Sequence, residues 1–156
     1  MPTLYMLIGI PGSGKSTWVD NAGFDVEDTV IISTDKFIET DAVLQGKTYS
    51  EVFDGSIKRA TQMMNLALDM AVKDRMNIVW DQTNLTKKSR AGKLSKIPNT
   101  YHKVAVVFAT PNDDELNRRL AGRPGKTIPS NIILAMKSQL QIPSEEEGFE
   151  DIINVG

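Results

Sequence analysis

Cysteine is absent from the 156 residues, and histidine occurs once, at His102. The first absence excludes disulfides and thiolate metal sites, and the second excludes most histidine-based metal or triad chemistry. A catalytic base in this chain is therefore expected to be a carboxylate. Long apolar runs are also missing, so no bilayer span and no membrane partner are expected. Met1-Pro2-Thr3 leads straight into a strand pattern without signal-peptide features, which makes the cytoplasm the expected location. Neither sign of charge dominates: 18 Lys and Arg against 20 Asp and Glu give a formal net charge of -2. That balance argues against coating nucleic acid by bulk charge and leaves a local basic groove open. Repeats and low-complexity tails are absent. With 40% hydrophobic and 24% charged residues, the chain reads as one domain over residues 1–156 whose core is covered on both faces.

What is present is a glycine-rich turn, Gly9-Ile10-Pro11-Gly12-Ser13-Gly14-Lys15-Ser16-Thr17, placed directly after the apolar run from Leu4 to Ile8. It carries the full G-x-x-x-x-G-K-S pattern in a strand-loop-helix context, with Thr17-Trp18-Val19 opening the helix. Glycines at 9, 12 and 14 permit positive φ and close approach to an anion, so successive N–H groups can converge on phosphate oxygens. The helix N-terminus adds its dipole. Gly12, Ser13, Gly14, Lys15, Ser16 and Thr17 are thus candidate binders of a nucleoside triphosphate. Lys15 is expected at the β- and γ-phosphates, and Ser16 at Mg2+.

Further strands are expected at Thr29 to Ser33, Asn77 to Trp80 and His102 to Phe108, with a short last one at Ile152 to Val155. The strand at 102–108 is expected in the middle of the sheet, with His102 structural. Asp35 follows the second strand and lies beside the P-loop if the two strands are neighbours. Its residue type suits a general base and, equally, the cap of a short helix. Asp81, at the tip of the third strand, suits an acid that orders Mg2+ and its water, or a turn residue bonded to its own backbone.

Residues 38–53 read as a polar, turn-rich surface segment around Gln45-Gly46-Lys47. A long helix follows through Ile57, Ala60, Met64, Ala67, Leu68 and Ala71, with Met63, Met64 and Met70 read as core filler. Thr86 is expected to cap a helix whose Lys87, Lys88, Arg90 and Lys93 form a solvated face. Asn112 to Glu115 begins another helix, which breaks at Ala121-Gly122-Arg123-Pro124-Gly125-Lys126. This last stretch suits a phosphotransferase lid in which Arg119 and Arg123 stabilise transferred charge, or an ordinary surface turn. Glu145-Glu146-Glu147-Gly148 reads as a solvent-facing acidic turn.

Four motifs in order, G-I-P-G-S-G-K-S-T-W at 9 to 18, I-S-T-D at 32 to 35, D-Q-T-N-L at 81 to 85 and E-L-N-R-R-L-A-G-R-P-G-K-T-I-P at 115 to 129, run through the chain. Together they resemble the kinase domain of phage and animal polynucleotide 5'-hydroxyl kinases. The resemblance implies an α/β P-loop NTPase fold, a parallel sheet with helices on both faces and an arginine-bearing lid. It implies ATP and Mg2+ as cofactors and a nucleic acid, here DNA, as phosphate acceptor. By the same resemblance Lys15 and Ser16 hold phosphates and Mg2+, Asp35 is the base, Arg123 stabilises the transition state, and Asp81 falls on the D-x-T-N acid of some members. Several of these kinases carry D-x-x-R, with the arginine on an acceptor phosphate, where this chain has Ile38. A related DNA kinase that phosphorylates the hydroxymethyl group of a modified pyrimidine, such as 5-hydroxymethyluracil, needs the same base, lid and P-loop. The central domain of the heterogeneous nuclear ribonucleoprotein U proteins is similar in its P-loop and D-Q-T-N segment. That similarity raises a nucleotide-gated nucleic-acid-binding module, and a small-molecule kinase is the remaining alternative.

Overall fold

Every strand in the molecule runs in the same direction, in the spatial order β2-β3-β1-β4-β5. The strands are β1 (Thr3–Ile8), β2 (Thr29–Ile32), β3 (Asn77–Trp80), β4 (His102–Phe108) and β5 (Asp151–Val155). Among the described residues six α-helices accompany them: α1 (Lys15–Ala22), α2 (Thr34–Gln45), α3 (Tyr49–Lys73), α4 (Lys87–Leu94), α5 (Asp113–Ala121) and α6 (Ser130–Gln139). The structure, a computed structural model, describes residues 1–123 and 125–156; Pro124, within the lid motif, lies outside the described residues. Among the described residues no helix is long and apolar enough to cross a membrane.

The strand sequences explain a sheet buried on both faces. In β1, Leu4, Met6 and Ile8 join Ile78, Trp80, Ala105 and Val107 in one cluster that takes Met64, Leu68 and Ala71 of α3 and Leu94 of α4. Leu7 joins Val79, Val104, Val106 and Phe108 on the opposite face, against Trp18 and Val19 of α1. The alternation is that of period-two side chains with apolar partners on either side. A third cluster, Ile10, Leu85, Leu116 and Ile133, ties α5 and α6 to the P-loop and to the segment after β3.

Several expectations need correction. β1, not β4, is the central strand; β4 lies next to it, with β5 outside. β2 is separated from β1 by β3, so Asp35 does not follow a neighbouring strand. The expected turn is confined to Gly46, Lys47 and Thr48, and residues 38–45 and 49–53 on either side are helical, in α2 and the first turn of α3. Thr48 and Glu51 form a capping box at that start, and Ile38, Ala42, Val52 and Ala60 make a small core between the two helices. α1 begins at Lys15, two residues earlier than Thr17, because Gly14 supplies its N-cap. Of the three methionines read as filler, only Met64 is buried; Met63 and Met70 are exposed.

The helix after Thr86 departs furthest from a solvated face. Thr86 does cap it, accepting from Ser89 N. Arg90, however, is fully buried. Its Nε donates to Glu147 at 2.8 Å and its Nη1 to the carbonyls of Asn84 and Leu85 at 2.9 and 3.1 Å. Glu147 is therefore not solvent-facing: burial raises its carboxyl pKa, but the bonds from Arg90 and from Ser144 N outweigh that and lower it. Lys93 also turns inward, donating to Asn84 Oδ1 and lying 5.4 Å from the Trp80 ring centroid, and burial lowers its pKa to about 8. His102 bridges Glu150 and Asp151 at 2.6 Å each, across the start of β4 and β5.

Candidate active site

At the carboxyl end of the sheet lies a cleft of about 1100 Å³, where open parallel sheets place their ligands. Gly12, Ser13, Gly14, Lys15, Ser16, Thr17, Asp35, Asp81, Arg119 and Arg123 all line it, so the fold brings together every residue singled out from the sequence. Tyr49, Phe53 and Lys126 line it as well.

The P-loop forms the donor side. Gly14 has φ 103°, a left-handed value that releases the turn into α1, and Gly12 has φ 81°. Gly9 needs no positive φ; a Cβ there would lie 2.6 Å from Ser13 Oγ, so its requirement is space. The loop is also stitched to the segment after β3. Gly9 N donates to Thr83 O at 3.0 Å, and the Asn84 amide donates to Leu7 O at 2.7 Å. Asn84 has φ 49°, and the Arg90 guanidinium holds its carbonyl.

Lys15 Nζ donates to the carbonyls of Gly9 and Ile10 at 2.8 and 2.9 Å. Burial lowers its pKa to about 8, with Asp81 opposing the shift and Arg123 adding to it. Asp81 is anchored by its own N–H to Ile32 O at 2.8 Å, and burial raises its carboxyl pKa while Lys15 draws it down. Trp80 Nε1 donates to Gln82, whose amide reaches Thr34 Oγ1 at 3.3 Å, so the tip of β3 is tied to the first turn of α2.

Asp35 sits in that first turn. Ser33 is the N-cap and accepts from Asp35 N at 3.1 Å, so the capping oxygen is serine's and the Asp35 side chain lines the cleft instead. Asp35 Oδ1 accepts from Tyr49 Oη at 2.6 Å, and Oδ2 accepts from Lys126 Nζ at 3.0 Å. Burial pushes its pKa up, but these two hydrogen bonds and the Lys126 charge outweigh it, and the net shift is downward. Tyr49 is pushed up by burial and by the Asp35 carboxylate, so its hydroxyl stays a donor at neutral pH.

Arg119 donates from Nη1 to Gly12 O at 3.0 Å and from Nε to Glu115 at 2.7 Å, fixing α5 to the P-loop. Among the described residues Arg123 Nη1 is buried without a hydrogen-bond partner, as is Ser13 Oγ. Both side chains line the cleft, and an unpaired buried donor calls for a ligand atom. These orphans, the glycine-rich N–H turn and Lys15 fit a bound polyphosphate. For a cation the site offers Ser16 and Asp81; among the described residues no group of three or more His, Cys, Asp or Glu side chains could hold a metal alone. That donor set suits Mg2+, which keeps its waters and is shared with phosphates.

Sequence reasoning missed Tyr49, Lys126, Asn84 and Arg90. Lys126 stands inside the lid motif and was passed over for the arginines. Tyr49 lies in the stretch read as loop. The spacing D-Q-T-N to Arg90 held the only other signal.

The family model described as the AAA domain matches residues 4–143. Heterogeneous nuclear ribonucleoprotein U-like protein 2 of Mus musculus is 25% identical over 155 residues, covering 94% of this chain and 20% of that protein. The bifunctional polynucleotide phosphatase/kinase of Schizosaccharomyces pombe is 26% identical over 164 residues, covering 97% of this chain and 33% of that protein. The chain thus spans a fifth to a third of the curated relatives it matches. A chain of the Pnkp1/Rnl/Hen1 RNA repair complex superposes with a TM-score of 0.68 at 27% identity, over 90% of this chain and 44% of that one. A gluconokinase from Sinorhizobium meliloti shares the fold, with a TM-score of 0.52 at 17% identity over 99% of this chain and 82% of that one. With the P-loop and the parallel sheet in place, the chain belongs to the AAA domain family and is similar to a bifunctional polynucleotide phosphatase/kinase.

Proposed function

We propose that the chain is an ATP-dependent phosphotransferase that moves the γ-phosphoryl group to a hydroxyl of a nucleic acid, with the 5'-hydroxyl end of a DNA strand as acceptor. The observation that carries this reading is the ionised carboxylate of Asp35, held by two donors in the same cleft as the P-loop and Arg123. A binding module has no use for such a group. ATP, when bound, would supply the γ-phosphoryl group and leave as ADP, and Mg2+ would neutralise the phosphate oxygens.

The chain's own residues do the rest by positioning and charge. N–H groups of residues 12–17 seat the phosphates, and Lys15 exchanges two loop carbonyls for phosphate oxygens. Ser16 and Asp81 are the residues that would hold the cation. Asp35 accepts the proton of the acceptor hydroxyl as the oxygen attacks, and its lowered pKa is no handicap, because a loose phosphoryl transition state asks little of the base. Arg123 brings an unpaired guanidinium nitrogen to the transferred charge. Arg119 holds the lid helix against Gly12.

One observation favours a second acceptor within the same chemistry. Ile38, standing where D-x-x-R would place a phosphate-binding arginine, is fully buried in the α2–α3 core, and the cleft beside Asp35 is lined by Glu39 and Asp54. Such a wall suits the hydroxymethyl group of a modified pyrimidine better than a phosphate-flanked end. The deciding experiment is transfer of labelled γ-phosphate to two otherwise identical oligonucleotides. One has a free 5'-hydroxyl; the other has a blocked 5' end and an internal 5-hydroxymethyluracil. Label on the first supports the 5'-end reading, and label on the second alone replaces it with the base-modifying one. Label on neither, with ATP bound, overturns nucleic-acid transfer in favour of a binding module or a small-molecule kinase.

A further inference from the structure

The lid segment is fastened to the helix that provides Tyr49. Ser50 N donates to Gly125 O at 3.1 Å, and Thr127 N donates to Ser50 Oγ at 3.1 Å. Gly125 has φ 69°, and a Cβ there would lie 2.9 Å from Thr48 Cβ, so only glycine lets the lid approach the first turn of α3 this closely. The residue between these two fastenings is Lys126. Its side chain is 13% exposed, its Nζ reaches Asp35 Oδ2 at 3.0 Å and Glu39 Oε1 at 3.4 Å, and it lies 4.5 Å from the Tyr49 ring centroid. One oxygen of Asp35 is thus taken by α3 and the other by the lid.

We propose that Lys126 is a positioning residue that makes Asp35 competent only when the lid is docked: residues 125–127 packed on α3 complete a clamp in which Lys126 and Tyr49 each hold one carboxylate oxygen. A carboxylate has about four lone-pair sites. With one on each oxygen engaged, the carboxylate's plane is fixed and the remaining sites face the acceptor hydroxyl. Lid docking on the nucleotide side, where Arg119 and Arg123 stand, is thereby transmitted to the acceptor side through one ammonium group. This inference rests on the kinase reading above.

The test is a double-mutant cycle in the full chain, with Lys126→Met, Gly125→Ala and their combination, read as kcat at saturating ATP and oligonucleotide, with ATP affinity and melting temperature as controls. Lys126→Met is expected to lower kcat on the order of 10²-fold with ATP affinity unchanged, the scale of a misplaced reacting group. Lys126→Arg, which keeps the charge, is expected to recover most of that loss. Gly125→Ala should lower kcat about 10-fold alone and add little to Lys126→Met, because both break one linkage. Wild-type kcat in Lys126→Met, or losses that multiply in the double variant, overturns the clamp and leaves the kinase reading standing. Failure of the wild-type protein to phosphorylate any acceptor overturns both.

Discussion

The donor and acceptor walls of the cleft are made in different ways. The donor wall is one uninterrupted stretch, residues 9–17, whose chemistry is mostly backbone N–H groups and whose shape is fixed by local glycine geometry. The acceptor wall is assembled from three places: Asp35 at the start of α2, Tyr49 at the start of α3, and Lys126 from the lid, 91 positions from Asp35 in the chain. The loop takes its turns from its own glycines and is braced from outside by Thr83 and Arg119. An assembled wall depends on helices and a lid docking correctly, and so it has more ways to be switched off.

Variants should separate the two walls. Asp35→Asn keeps the size of the side chain and removes the base, so phosphate transfer is expected to fall on the order of 10³-fold. ATP affinity measured by calorimetry should stay at the wild-type value. Lost ATP affinity in this variant would place Asp35 on the donor wall and break the comparison. Lys15→Met should instead weaken ATP binding and lower kcat together, each on the order of 10²-fold. Arg123→Ala should lower kcat by a similar factor with ATP affinity nearly intact, since the lid arginine acts on charge that grows during transfer.

Arg90→Met probes the support beneath both. It leaves Glu147 buried without its partner and frees the Asn84 carbonyl, and a broken buried pair costs about 3 kcal/mol or more. Urea unfolding should show it as a lower midpoint with unchanged slope. The smallest effect expected is on pH. Lys15 has a pKa near 8 before phosphate arrives, so affinity for a non-hydrolysable ATP analogue should be level below about pH 7 and weaken as pH rises through 8, by at most about tenfold per unit. Lys15→Met should abolish that slope.

The difference between the walls also explains what could be read from the residues. The P-loop, the strands, the cap at Thr86 and the acidic helix start at Asn112 to Glu115 follow from local patterns, and the structure has them in place. Asp35, Asp81 and Arg123 were found because each stands at a strand tip or in a lid motif, and they meet in one cleft. α2 was missed because its buried face is only Thr34, Ile38 and Ala42, too narrow a stripe to show helical periodicity among polar neighbours. Arg90 looked like one more surface cation because its partner Glu147 is 57 residues away. Strand order was equally hidden, since nothing local places β3 between β1 and β2.

The burial of Ile38 bears on how such a chain could change its acceptor over evolutionary time. An arginine at that position would have to thread its stem past Ala42, Val52 and Ala60, and a guanidinium left unpaired among them would cost several kcal/mol. A single replacement therefore carries a penalty that is large against the roughly 5–15 kcal/mol that keeps a domain folded. The passable route first loosens the α2–α3 contact, for instance by shrinking Val52, and only then admits the charge. On the kinase reading proposed above, acceptor preference would be inherited with the packing of two helices, as a block, and not as one exchangeable residue.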